Sequence, residues 1–517
     1  MTDMRRRAAS KPVPDPAYAQ ELYRDARFSE AAEVLEKREA AGTLDPQNAL
    51  LVARIYLVRD PARSLLYLTD RSKLFTSKVL RGESGLLQGA AYARLGDHAS
   101  AATRLKAAAT DCAGHADLLC AVRYQQATSA WMQRKLDSAQ HILNRVDWSE
   151  ATAPVRIQQY VLQGAIQASR GNLTEQGGTL LEALRYVRQQ ERPSVLHWAY
   201  VVSQISYLAR ELYSPSLREA AYEEVSKVPW TADISDTQFI TLRALGWCHA
   251  LEGDYFNAFR RLKEASQIAP SPAWRVMSLC DRSYLARCLG ETRWAEQERS
   301  DARDLAATVN WKALDGEERF ALCLLGELFA ETDAPLALAQ IAEYRKAGKQ
   351  FAPILASSDD RRVTALESYS LGVVQRALGD SAEAVRLISQ AYDIYGGIGY
   401  RWRAGRSAKA LAQLTGQTSW KERAATALGV YPRSWLVEER ARPPVQPLRG
   451  VELLTASQQA VYEQLVLGLS TRDIARQLNR SEFTIRNHVK AVFKTLGVKS
   501  RASLVARATG TAATPDT

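Results

Sequence analysis

Between Ser470 and Arg501 the chain reads STRDIARQLNRSEFTIRNHVKAVFKTLGVKSR. Arg486, Asn487, Lys490 and Lys494 crowd amide and cationic donors into nine positions of this stretch. Arginine can donate a bonded pair to O6 and N7 of guanine, and asparagine can bridge N6 and N7 of adenine. The chemistry these types can do together is recognition of a nucleic acid. No rival chemistry stands out elsewhere. There is no Ser/His/Asp set and no pair of carboxylates at a working spacing. Gly348-Lys349 lacks the upstream glycine of a phosphate-binding loop and is followed by Gln350. Cys112-x-x-His115 is half of a metal-ligand spacing without a second half nearby, and none of the six cysteines forms a C-x-x-C pair. The expectation is a protein that is not an enzyme and holds no metal or cofactor. Its cysteines are read as reduced, buried small residues.

The donors need a rigid element to aim them, and the local sequence supplies one. Thr455 or Ser457 can cap a first helix, on which Val461, Leu465 and Val466 share a face. Ser470 caps the next, with Asp473 completing an S-x-x-D box and Ile474, Ala475 and Leu478 forming its inner stripe. Ser481 caps a third. At roughly 100° per residue, Ile485, Val489, Val492 and Leu496 of that helix fall on one apolar stripe. Phe483, Arg486, Asn487, Lys490 and Lys494 fall on the opposite side, with Thr484 and His488 on the flank. Two short helices at a sharp corner, the second with such a face, make a helix-turn-helix.

Leu454-Thr455, Gly468-Leu469-Ser470, Asp473-Ile474-Ala475, Leu478, Ser481-x-x-Thr484-Ile485-x-x-His488, Leu496-x-Val498 and Ser500-Arg501 together closely resemble the LuxR-type (GerE-like) helix-turn-helix domain. The resemblance implies a four-helix domain over 451–509 that binds double-stranded DNA, as a homodimer through its last helix, about 499–508. It implies that Arg486, Asn487 and Lys490 face bases. Thr484, His488, Lys494 and Arg501 would touch phosphates or hold the frame. Two positions depart from the family pattern. Ser457-Gln458 replace the usual Arg-Glu, removing an internal ion pair. Phe483 stands where the family carries a polar residue, either contacting a thymine methyl or altering the readout.

The rest of the chain is read as a frame for this module. Turn signals recur near 27, 60, 96, 135, 171, 213, 253, 290, 333 and 379, at steps of roughly 33–46 residues with two helical patterns per step. In 242–270 and 368–391 small Gly and Ala residues sit where paired helices would cross, and Gly253 and Gly379 suit the turns. Both units, and 89–108, resemble the tetratricopeptide pattern; the units near 290 and 333 keep only fragments of it. The fold class expected is all-α: a tetratricopeptide-like helical-hairpin solenoid of about ten hairpins over 15–437, a Pro-rich linker over 438–450, and the LuxR-type module. Residues 1–14 are read as a disordered basic arm rather than a secretory signal, and 510–517 as a disordered tail.

Charge and hydropathy agree. The net charge is +11, and residues 454–507 hold nine Lys/Arg against three Asp/Glu. A basic module on a near-neutral body suits a localised polyanion site. No apolar run is long enough to span a membrane, and a cytoplasmic location is expected. The repeat groove is expected to take a protein, peptide or small-molecule effector. The function expected is a transcription regulator. Its rival is a repeat scaffold whose helix-turn-helix-like end only dimerises. The large ATP-binding regulators of the same family share this layout but carry the phosphate-binding loop missing here.

Overall fold

The computed structural model describes residues 15–311, 320–351, 361–431, 451–466 and 469–498, with 318, 434, 436, 500, 501, 503 and 504. The basic arm, the Pro-rich linker and the tail lie outside the described residues. So does most of the segment expected to form the last helix of the module. Among the described residues there are helices and turns and no strand.

Among the described residues, eleven helical hairpins follow one another. They are α1/α2 (Pro16–Arg24, Phe28–Ala40), α3/α4 (Pro46–Arg59, Pro61–Asp70), α5/α6 (Lys78–Arg94, His98–Asp111) and α7/α8 (Ala116–Met132, Leu136–Asn144). Next come α9/α10 (Ala153–Ser169, Leu173–Arg188), α11/α12 (Val195–Leu212, Pro215–Glu224), α13/α14 (Ser235–Leu251, Tyr255–Ile268) and α15/α16 (Pro272–Cys288, Thr292–Ala306). The last three are α17/α18 (Phe320–Phe329, Ala334–Phe351), α19/α20 (Arg361–Ala377, Ser381–Gly397) and α21/α22 (Arg401–Thr415, Thr418–Leu428). The expected count of about ten is thus one short. The pair α21/α22 turns at Gly416-Gln417, with Gly416 at φ +69°, and the sequence there lacks the Gly-Asp signature of its neighbours.

That signature has a physical basis. In the turns of α5/α6, α13/α14 and α19/α20 a glycine takes positive φ (+83°, +79° and +87°). The following Asp donates its N–H back to the first helix (2.9–3.0 Å), as in a Schellman turn, while its carboxylate caps the second helix at 3.0–3.2 Å. Ala26, Arg134 and Tyr213 take the same conformation without being glycine (φ +51° to +61°).

In several pairs the helices cross closely at a glycine. A Cβ added at Gly246 would meet Leu262 at 2.9 Å and the carbonyl of Ala258 at 3.2 Å. At Gly372 it would meet Ile388 at 2.6 Å and the carbonyl of Ala384 at 3.3 Å; at Gly89, Leu105 at 2.6 Å and the carbonyl of Ala101 at 3.5 Å. The pattern is glycine, a small residue twelve positions on, and a branched aliphatic four further. The unit near 333 keeps it with one residue fewer in the turn: Gly326 lies against Ile341 and the carbonyl of Ala337. That deletion explains why only fragments of the pattern are visible in its sequence. Five of the six cysteines are buried, but Cys288, the last residue of α15, is exposed, against expectation.

The chain divides into two compact units. In the first, described over 15–205 and 223–237, Asp233 accepts from Ser29 (2.6 Å) and pairs with Arg59 (2.9 Å), tying the first two hairpins to the 231–233 segment. The second holds 206–222, 238–351 and the rest of the chain from 361 onward. There Tyr213 packs on Tyr431, and Glu211 joins α11 to α21 through Arg403. The C-terminal module belongs to this second unit.

Candidate nucleic-acid interface

The module is built from α23 (Ala456–Val466), α24 (Thr471–Gln477) and α25 (Glu482–Leu496), entered through a 3-10 turn at Val451–Leu453. Thr455, not Ser457, caps α23. Its hydroxyl accepts from the N–H of Gln458 (3.3 Å), and the Gln458 side chain accepts from the N–H of Thr455 (3.0 Å). The Gln458 that departs from the family pattern therefore completes a reciprocal capping box. Ser470 caps α24 by accepting from the N–H of Asp473 at 3.3 Å, and Ser481 caps α25 by accepting from the N–H of Thr484 at 3.1 Å.

The corner between α24 and α25 is made by Asn479, whose φ of +49° is one that asparagine tolerates better than most residues. The N–H of Arg480 bonds back to the carbonyl of Ala475 at 2.8 Å and locks the turn. Gly497, at φ +60°, ends α25. Val461, Leu465, Ile474, Ala475, Ile485, Val492, Leu496 and Leu504 are buried together, with Val466, Leu478 and Val489 packed around them. Their burial fixes the roll of α25 about its axis, and so decides which side chains face outward.

Phe483 is 74% exposed. Arg486, Asn487, Lys490 and Lys494 are exposed with it, on the side away from the core. Thr484 and His488 are half-buried on the flank, and the Thr484 hydroxyl is bonded to that of Ser481 at 2.8 Å. Arg501 is placed differently. It is partly buried near Asp473, and burial pulls its pKa below the ordinary arginine value against the opposing charge of Asp473. That position suits holding the frame rather than reaching a phosphate.

Two features go beyond the expected set of site residues. The guanidinium of Arg486 is paired to Glu482 one turn earlier at 3.4 Å. Arg472, at the start of α24, lies 3.8 Å from the other oxygen of the same carboxylate with its side chain 87% exposed. Arg472 thus adds a cation beside the outward face of α25. The available signal was its place just after the Ser470 cap, where the start of the first helix of such a pair meets the backbone of a duplex.

The module also touches the repeats of its own unit. Lys263 on α14 donates to Asp473 on α24. Burial alone would raise the pKa of Asp473. Hydrogen bonds from Lys263 and Ser470 and the charges of Lys263 and Arg282 outweigh it and hold the value below the ordinary carboxylate range. With this contact made, the outward face of α25 is still open to solvent.

A family model described as bacterial regulatory proteins, luxR family, matches residues 452–508. The spore germination protein GerE of Bacillus subtilis (strain 168) is 43% identical over 53 residues, which is 10% of this chain and 72% of that protein. Among solved structures, a Rap protein complexed with competence and sporulation factor aligns over 66% of this chain and 99% of its own, with TM-score 0.37 and 12% identity. The APC/C hetero-tetramer Cut9-Hcn1 aligns over 80% and 96%, with TM-score 0.25 and 12% identity. No helix among the described residues is long and apolar enough to cross a membrane.

Proposed function

The chain belongs to the LuxR family of bacterial regulatory proteins through its C-terminal module, and from that premise we propose that it regulates transcription by binding promoter DNA in response to an effector. The observation that carries the reading is the outward face of α25. A helix rolled into place by Ile485, Val492 and Leu496 turns Arg486, Asn487 and Lys490 to solvent, where a major groove can receive them. Lys494 and Arg472 flank this face and contact phosphates, while Thr484, His488 and Arg501 keep the helix and its caps in register. Phe483, at the centre of the face, meets a thymine methyl.

The active species is a homodimer joined through the segment after Ser500, so the operator carries two half-sites. The repeats sense or dock the effector, and the Lys263–Asp473 contact is one link from them to the DNA module. Selection from a random duplex pool with the full chain tests the reading. The expected result is an enriched motif of two related half-sites. A pool that stays unenriched at low salt would instead favour a scaffold whose C-terminal module only dimerises.

A further inference from the structure

The second unit contains a cavity that DNA recognition does not use. It opens to solvent, and the room inside it for water-sized groups is about 40 Å³. Arg243 and Trp247 reach its wall from α13, one turn apart. Tyr284 comes from α15, and Trp402, Arg403 and Arg406 come from α21. The indole rings of Trp247 and Trp402 are nearly parallel (19°), with centroids 5.7 Å apart.

The charges are layered. Glu211 accepts from Nε and Nη2 of Arg403 at 3.0 and 3.1 Å, Glu327 accepts from Nη2 of Arg406 at 2.7 Å, and Asp281 accepts from Nη2 of Arg243 at 3.0 Å. The three carboxylate side chains keep 0%, 8% and 2% of their surface, whereas the arginines keep 17–19%. The cations therefore offer more surface to a ligand than the anions behind them. Arg287 adds a fourth guanidinium to the lining, paired with Glu331 at 2.9 Å.

Arg406 is held between the rings of Tyr284 and Tyr369, at 4.6 and 4.4 Å from their centroids. Both faces of its guanidinium are covered, so its N–H edges do the bonding. Among the described residues Nη2 has Glu327 as acceptor, while Nε and Nη1 have none. A donor edge fixed in place without an acceptor, beside flat indole faces, matches an anionic oxygen pair joined to a ring.

We infer that this cavity binds a small aromatic carboxylate, its oxygens on the donors of Arg406 and Arg403 and its ring against Trp247 and Trp402. The inference rests on the reading of the repeats as the sensor. Trp247 and Trp402 lie in the same continuous buried cluster as Val461, Ile474 and Ile485 of the DNA module, so occupancy bears on packing that reaches the module. The carboxylate can come from a free aromatic acid or from the C-terminal residue of a short peptide.

Calorimetry on the full chain tests this with four probes: indole-3-acetate, neutral indole-3-acetamide, and the dipeptide Gly-Trp with a free or an amidated C-terminus. Each acid is expected to bind at least about tenfold more tightly than its amide. Tighter binding of the free-acid dipeptide than of indole-3-acetate assigns the source to peptide ends, and the reverse assigns it to free acids. Arg406→Gln should weaken acid binding about tenfold or more. Because that change leaves buried Glu327 with Ser370 but without its ion-pair partner, Leu324→Trp serves as the second variant. It fills the cavity from α17 without touching an ion pair, and should abolish binding while circular dichroism shows a folded chain. Exposed Arg386→Gln should change nothing. Equal affinity for acid and amide, no binding of any acid up to about 10 mM, or full binding by folded Leu324→Trp would overturn the assignment. Operator affinity measured on the same samples separates the two readings. Acid binding with no change at the operator leaves the pocket standing and removes the sensor role.

Discussion

On the proposed function, Arg486 exchanges one partner for another when DNA arrives. In the free chain Glu482 holds its guanidinium from one turn back, with 68% of the arginine side chain exposed. An ion pair this exposed contributes little, about 0–1 kcal/mol, so a guanine edge can compete for it. Arg486→Ala should cost about 1–3 kcal/mol at one base pair and flatten that position of the operator motif. Lys494→Ala should weaken all sequences alike and reduce the salt dependence by about one phosphate. Equal, sequence-independent losses in the two variants would remove α25 from base reading. Phe483→Ala should erase preference at one A·T pair; unchanged preference would make the ring a bystander. The outward set was legible in the sequence because caps and an apolar stripe are local features. The Glu482–Arg486 pair was legible as well, being an i,i+4 spacing on one helix, whereas the partial burial of Arg501 was not, because it depends on how the helices meet.

The elements of the repeat region are set by where backbones must come close. Gly246→Ala places a Cβ 2.9 Å from Leu262 and 3.2 Å from a carbonyl. It should cost about 1–3 kcal/mol. Gly178→Ala, on α10 with nothing within 4 Å, should instead stabilise by about 0.5–1 kcal/mol. Thermal melting of the two variants checks this, and shifts of the same sign would refute the crossing register. The hairpin turns were readable wherever Gly-Asp marks a Schellman turn followed by a cap. The α17/α18 pair was only partly readable because its turn is one residue shorter and carries no glycine. The α21/α22 pair was missed because its turn falls at Gly416-Gln417 with no side-chain cap.

At the scale of the whole molecule, the proposed function has regulation run from the repeats of the second unit to the DNA module. The carboxylate of Asp473 has a depressed pKa, so its ionised form favours the contact with Lys263 above pH about 3.8; that contribution is lost as pH falls through the depressed value. Lys263→Gln should move the Asp473 titration, followed by selective carbon-13 labelling, up towards its ordinary value; an unmoved midpoint would mean the contact is absent in solution. Deleting 15–430 should abolish the effector response while leaving the selected operator motif unchanged, and a shifted motif would show that the repeats contribute to readout. DNA binding itself is tested by the affinity of the full chain for duplex DNA as salt is raised. If a dimer neutralises about six to eight phosphates, log K should fall against log salt with a slope of about −5 to −7. A slope near zero, or no binding at low salt, would contradict the account.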